Sequence, residues 1–501
     1  MLDLLASGLS IVLAPKMFVL IVFAIFLGTI FGALPGVSGT MAVTLGIPFT
    51  YQMDPVHAIA FLVAIFCAAI TGGGMTAILF KIPGVPSSAP TTYDGYPVAQ
   101  QGYAGKALGI QLVCSAFGGL FSALCMFLLS PQLTAVAVSF GPAELFAISF
   151  MGLSILSSLE TDNICRTIIS GLIGLLLACI GLDPLMGVPR LAFGTRFLLS
   201  GIEMIPVMIG FFAITEILKQ TLKRDKLEAA GNASKLSAVF PSIREFLSVK
   251  WTVLRCAVVG TIIGILPGAG ATISAFLCYS MEQKLSKYPE KFGTGIIDGI
   301  AAPETGNNAA VGGSLVPLLS LGIPGGNAAA ILMSALVLKG VTMGPLLLIN
   351  QPQFLAATFS SMLVSNIIMI PAAILIAKIF VKVLKIPYYI LGPTIIMMAT
   401  IGSFATKNTN IDVILMAIAG FVGFIFAVCK FNNSAMILGL VLGVIVESNL
   451  RRAFVIASGD DMLTLAINIV TRPVTGVILL VCFGVLLSPL IKLLLKRKKT
   501  G

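Results

Sequence analysis

Charge is scarce in this chain. Only 10% of its 501 residues are Asp, Glu, Lys or Arg, against roughly 25% in soluble globular domains. With 57% hydrophobic residues and a mean hydropathy of +1.05, a water-soluble fold is excluded. Aromatic residues make up 8%, with a single Trp. That is too few for the aromatic girdles of a membrane β-barrel, and the apolar runs are long rather than alternating. There is one histidine, His57, so HExxH zinc chemistry and a Ser-His triad both lack a placed imidazole. None of the nine cysteines forms a CxxC pair, and they read as small buried apolar residues. GxGD, GxSxG and the phosphate-binding GxxxxGK[ST] are missing; Gly105-Lys106 is followed by Ala107. These absences argue against an intramembrane protease, a lipid-modifying transferase and an ATP-driven pump. A basic N-terminal region with a small-residue cleavage site is also lacking, so no cleaved signal peptide is expected.

What is present is a series of apolar runs. Residues 17–34 form a first clear helix, and residues 1–14 are expected along the membrane interface. Further runs cover 56–70, 107–129, 133–158, 167–182 and 202–218. A second series covers 252–279, 309–321, 328–349, 354–381, 387–404, 411–429, 434–446 and 475–495. The expected fold is an all-α polytopic membrane protein with about 10–14 spanning or re-entrant helices. The net charge of +11 is concentrated in the stretch 219–250 and in the Lys-Arg-Lys-Lys tail at 496–499. That is the positive-inside pattern of cytoplasmic loops, not a nucleic-acid surface. The expected division is a first membrane half (1–218), a cytoplasmic connector (219–250) and a second half with additional C-terminal helices (251–501). Trp251 falls where an interfacial aromatic belongs.

The two halves echo each other. GTIFGALPGVSGT (28–40) and GTIIGILPGAGAT (260–272) are identical at eight of thirteen positions, at a constant offset of 232. TGGGMTAILFKIPG (71–84) and VGGSLVPLLSLGIPG (311–325) each pair a glycine cluster with Ile-Pro-Gly. Two matches in the same order indicate an internal repeat. Pro and Gly break helices, and lipid cannot satisfy the freed backbone groups. Paired breaks in matched places of two halves are a sequence pointer to a transporter's substrate site. The second repeat is preceded by Lys250 and Arg255, the first only by Lys16, which predicts that the halves have opposite orientation in the membrane.

With GALPGVSGT (32–40), GGGMTAILFKIPG (72–84), TTYDGYP (91–97), GILPGAGAT (264–272), PETGNNA (303–309) and LGIPGGNAA (321–329), the chain resembles the large membrane subunit of the tripartite tricarboxylate transporter family. The resemblance spans most of the chain. It implies a multi-pass permease of the bacterial inner membrane that works with a small membrane subunit and a periplasmic solute-binding protein. It implies secondary import of di- or tricarboxylates driven by a cation gradient, Na⁺ or H⁺, with no cofactor. Relatives by architecture imply inverted repeats and an elevator-like motion. One departure is Lys81, where the family pattern has an Asn before Ile-Pro-Gly. A fixed ammonium at this tip would repel a coupling cation, unless the side chain snorkels to an interface.

The residues point to chemistry of two kinds. After the LPG breaks, Gly36, Ser38 and Thr40, and Gly268, Thr272 and Ser274, stand at new helix starts. There backbone N–H groups and a positive dipole end suit a carboxylate. The alternative is that Gly32, Gly36, Gly264 and Gly268 form helix-packing faces. Pro83, Gly84 and Lys81, and Pro324 and Gly325, are expected at the same site. Glu304, Asn307, Asn308 and Asn327 could ligate a coupling cation or hold a substrate carboxylate through their amides; Glu304 could equally be a loop residue facing water. Asp94-Gly95-Tyr96-Pro97 reads as a surface turn. Glu144, Asp412 and Glu447 suit packing or interface roles. The function best matched is a secondary carboxylate transporter and not an enzyme; an intramembrane enzyme or a channel with a broken-helix cavity is the alternative.

Overall fold

The computed structural model describes residues 2–34, 38–159, 164–183, 186–222, 242–266, 268, 270–383, 388–456, 462–484 and 486. Gly36, most of the connector and the basic tail lie outside the described residues.

The first half runs α1 (Leu2–Leu13), α2 (Pro15–Ala33), α3 (Gly39–Thr50), α4 (Pro55–Phe80), α5 (Thr91–Val98), α6 (Ala104–Ala137), α7 (Pro142–Leu159), α8 (Ile164–Ala178), α9 (Met204–Ile209) and α10 (Thr215–Leu222). A small antiparallel hairpin, β1 (Gly181–Leu182) and β2 (Pro189–Arg190), lies between α8 and α9. The second half runs α11 (Ile243–Ser248), α12 (Lys250–Ile265), α13 (Gly270–Leu285), α14 (Asp298–Leu321), α15 (Asn327–Leu338), α16 (Pro345–Asn350), α17 (Gln353–Val383), α18 (Tyr388–Lys407), α19 (Asn410–Val428), α20 (Asn433–Ile456) and α21 (Met462–Val470). A final short apolar helix covers Pro473–Gly484. Among the described residues, six helices are long and apolar enough to cross a membrane. The chain is a multi-pass, all-α membrane protein.

Local chemistry explains the helix ends. Asp54 caps α4, accepting from the Val56 and His57 amides and pairing with the His57 ring, so the lone imidazole serves a helix start. Ser242 and Glu245 close a capping box on α11. Glu245 also pairs with Lys106 at 2.6 Å, and that ammonium, with the Ser242 contacts, holds the carboxyl down to about 2. Trp251 is exposed at the start of α12, with the Lys250 ammonium 5.7 Å from its ring.

Several expectations are corrected. The stretch 94–97 is not a turn but the middle of α5, with Asp94 fully buried. The two runs at 107–129 and 133–158 do not divide near Pro131; α6 carries that proline inside one helix. One face of α1 packs on protein, with Gly8 against the Ala356 carbonyl of α17 and Val12 buried, and its other face is exposed. Two cysteines, Cys165 and Cys429, are exposed rather than buried.

The halves interlock. α2 packs on α4, and α12 packs on α14. Across the halves, α6 packs on α14 and α17 packs on α4, so one hydrophobic core serves both. The sequence echo has a counterpart in packing, position for position. A methyl on Gly28 would meet the Ile65 carbonyl at 2.5 Å, and one on Gly260 would meet the Gly306 carbonyl at 2.5 Å. Gly32 abuts the Ala69 carbonyl as Gly264 abuts that of Ala310. The glycines let backbones approach where only a hydrogen fits.

Candidate functional site

Each Ile-Pro-Gly tip folds back onto the LPG break of its own half. Gly84 donates its amide to the Gly73 carbonyl at 3.2 Å and abuts the Gly32 carbonyl. Gly325 donates to the Ser314 carbonyl at 3.3 Å and accepts from the Gly268 amide at 3.1 Å. Residues at or just beyond the breaks and tips of both halves line one cavity of about 530 Å³. Ser38, Gly39 and Thr40 line it from the first half, with Val85–Ser87 just beyond the first tip. Gly268, Thr272, Gly326 and Asn327 line it from the second half.

Four helices begin at this cavity. The wall includes the first residues of α3, of α13, of α15 and of α20, whose entry is Asn432-Asn433-Ser434. Ser38 caps α3 by accepting from the Met41 amide at 3.1 Å, and Asn432 caps α20 by accepting from the Ala435 amide at 2.9 Å. The start of α15 has no side-chain cap. Four N-termini turn unpaired N–H groups and positive dipole ends on one volume. The charged wall residues are Glu216 and Lys219 of α10, paired at 3.0 Å. The wall also holds Ser87 Oγ, Asn327 Oδ1 and Asn433 Oδ1, buried acceptors with no hydrogen-bond partner among the described residues.

Other expected site residues stand elsewhere. Pro83, Gly84, Pro324 and Gly325 build the tips without lining the cavity. Ser274 is turned away, donating to the Gly306 carbonyl at 2.7 Å. Lys81 is exposed, with its ammonium 5.7 Å from the Tyr96 ring. Its backbone is left-handed (φ 58°), at the α4 C-terminus; Gly322 holds the matching place after α14 (φ 73°). That conformation suits Gly or Asn better than Lys.

Glu304, Asn307 and Asn308 form a network behind the cavity, on the buried face of α14. Glu304 is fully buried in helix, which overturns the water-facing loop alternative. Its carboxylate accepts from the Thr91 hydroxyl at 2.6 Å, the Ser115 hydroxyl at 3.0 Å and the Gln111 amide at 3.1 Å. Asn308 accepts from the Thr71 hydroxyl at 2.8 Å and donates to Asn307 at 2.7 Å. Asn307 reaches the Ser87 carbonyl at 3.5 Å, linking this network to the cavity wall. Among the described residues, no group of three or more His, Cys, Asp or Glu is placed to hold a metal ion.

A profile of the Tripartite tricarboxylate transporter TctA family matches residues 18–438. The chain belongs to that family. One relative is an uncharacterized 52.8 kDa protein in the TAR-I ttuC' 3' region of Agrobacterium vitis, 34% identical over 498 residues, 98% of each chain. A second, in the TAR-II ttuC' 3' region of the same organism, is 37% identical over 236 residues, 46% of this chain and 96% of its own. The TctA family is one of membrane transporters, and the match places this chain among its membrane permeases. Part of the cavity wall escaped the sequence reading: Thr215, Glu216, Lys219 and Asn432–Ser434. The last carries a legible signal, an Asn-Asn-Ser helix start ahead of an apolar run.

Proposed function

We propose that this chain is the permease subunit of a binding-protein-dependent secondary transporter, importing small di- or tricarboxylates on a cation gradient. The observation that carries the reading is the convergence of four helix N-termini, drawn from both halves, on one cavity. An anionic substrate takes the unpaired amides there, and Thr40 and Thr272 add hydroxyl donors. A coupling cation takes groups of the opposite kind, such as the unpartnered oxygens of Asn327, Asn433 and Ser87. Bringing the two charges together lowers the cost of carrying either through a low-dielectric barrier, which is the physical basis of coupling. The halves lie in opposite orientation in the bacterial inner membrane, with the connector and the C-terminus cytoplasmic. A small membrane subunit and a periplasmic binding protein complete the transporter.

The test is uptake into proteoliposomes holding this chain and its small subunit, with a panel running from acetate through succinate to citrate. Gradient-driven uptake of a di- or tricarboxylate, present only with the binding protein added, is expected. Robust uptake by the purified chain alone, or uptake indifferent to the gradient, contradicts the proposal.

A further inference from the structure

A second cavity, of about 500 Å³, lies among α8, the β1–β2 hairpin, α9, α15 and α20. Arg190, Glu203 and Glu447 line it together with Ser200, Ser334 and apolar residues such as Leu440. Three elements run from this cavity to the first. α9 and the turn after it carry Ile205 here and Phe211 at the first cavity; α15 carries Ser334 here and Ala328 there; α20 carries Leu440 here and Ser434 there. Each pair is six residues apart, about 9 Å along a helix, so the two cavities are stacked along one axis. The three elements pack on one another, and the layer between the cavities carries Met208, Met333 and Met436, all buried. Unbranched methionines repack at low cost, which suits a seal that must open.

The chemistry at this second cavity is that of a cation held by carboxylates. Arg190 pairs with Glu447, its second guanidinium nitrogen 3.2 Å from the carboxylate, and Arg451 pairs with Asp183; Arg190 also lies 3.7 Å from Asp183 and Arg451 3.6 Å from Glu447, so the four form one network. The Nε of Arg190 is buried without a hydrogen-bond partner. Both outer nitrogens of the planar fork are taken by Glu447, so an incoming carboxylate fits the fork by replacing that partner. α10 leads from the first cavity toward the basic connector, so the second cavity lies on the side opposite the connector, which is the outer side when the connector is cytoplasmic as proposed above. We propose that it is an outer antechamber for the same anionic substrate, with Arg190 its receiving group and the Arg190–Glu447 pair the contact the substrate displaces. This rests on reading the first cavity as the carboxylate site.

The test is labelling of Ser200→Cys in intact cells by a membrane-impermeant maleimide, with wild type as background and the site identified by mass spectrometry. The probe is whichever carboxylate of the uptake panel is transported. It is expected to slow labelling, and Arg190→Gln is expected to raise the half-protecting concentration at least about tenfold, the loss of one charged hydrogen bond. Glu447→Gln, which removes the nearer of the two carboxylates at Arg190 and leaves Asp183 at 3.7 Å, is expected to lower it, and so keeps the test decisive if Arg190→Gln fails to fold. Uptake that persists with no protection, or protection indifferent to both substitutions, overturns the antechamber while leaving the first cavity's role intact. Protection by added anionic phospholipid but not by carboxylate assigns the cavity to a lipid headgroup, which also overturns it.

Discussion

Asp94 shows how one side chain ties the two halves together. One of its oxygens accepts the amides of Gly293, Gly295 and Ile296 at 2.8–3.0 Å, and the other accepts the Tyr279 hydroxyl at 2.8 Å. α5 is thereby fastened to the α13–α14 connection. Asp94→Ala leaves three backbone donors unpaired and is expected to cost about 2–4 kcal/mol, read as a lower unfolding temperature in detergent. An unchanged temperature would show that solvent replaces the contacts freely. Lys81 makes the opposite prediction. A left-handed non-glycine residue is strained by roughly 1–2 kcal/mol, so Lys81→Gly should raise thermal stability and preserve transport. Loss of transport would return the ammonium to the mechanism. Neither role was legible in the sequence. Asp94-Gly95 reads as a turn because its partners lie some two hundred residues away, and Lys81 betrays its conformation only through the φ angle at the helix end.

At the scale of elements, the breaks were legible because they violate the rule for membrane helices. Pro and Gly at 83–84 and 324–325 follow the ends of α4 and α14, and those at 35–36 and 267–268 come just after α2 ends at Ala33 and α12 at Ile265. The glycines one turn earlier do different work. Gly32 and Gly264 let α2 and α12 lie against α4 and α14. Gly264→Ala pushes a methyl into the Ala310 carbonyl, a backbone atom that cannot swing aside, and is expected to destabilise by about 1–3 kcal/mol. Gly171→Ala in α8, where the nearest atom is 3.8 Å away, is the control and should be neutral or mildly stabilising. Equal effects of the two would remove close approach as the reason for the glycines. The polar run at 303–309 was visible as chemistry, but its burial was not. Hydropathy counts Glu304 against a buried helix, while Thr91, Gln111 and Ser115, from two other helices, supply its donors.

At the scale of the whole molecule, the repeat indicated two halves meeting at one site, and the walls of the first cavity draw on both. The sequence could not indicate how the halves interlock, because α6 on α14 and α17 on α4 are long-range packings with no shared motif. Opposite orientation of the halves is testable directly. Single cysteines at Lys16 and Lys235, in a background without the exposed Cys165 and Cys429, should label from opposite faces of the membrane. Labelling from the same face would end the inverted-repeat reading.

The central claim is that Thr40 and Thr272, 232 residues apart in sequence, hold one anion between them. The most direct measurement is the substrate dependence of uptake for Thr40→Val, Thr272→Val and the double variant, all reconstituted at matched protein levels. Each single change is expected to raise the half-saturating concentration about ten- to a hundredfold, the loss of a hydrogen bond to a charged group of roughly 1.5–3 kcal/mol. The double variant is expected to depart from additivity, because both hydroxyls serve the same ligand. Unchanged substrate constants in all three would contradict the account and leave the broken helices as packing features or hinges.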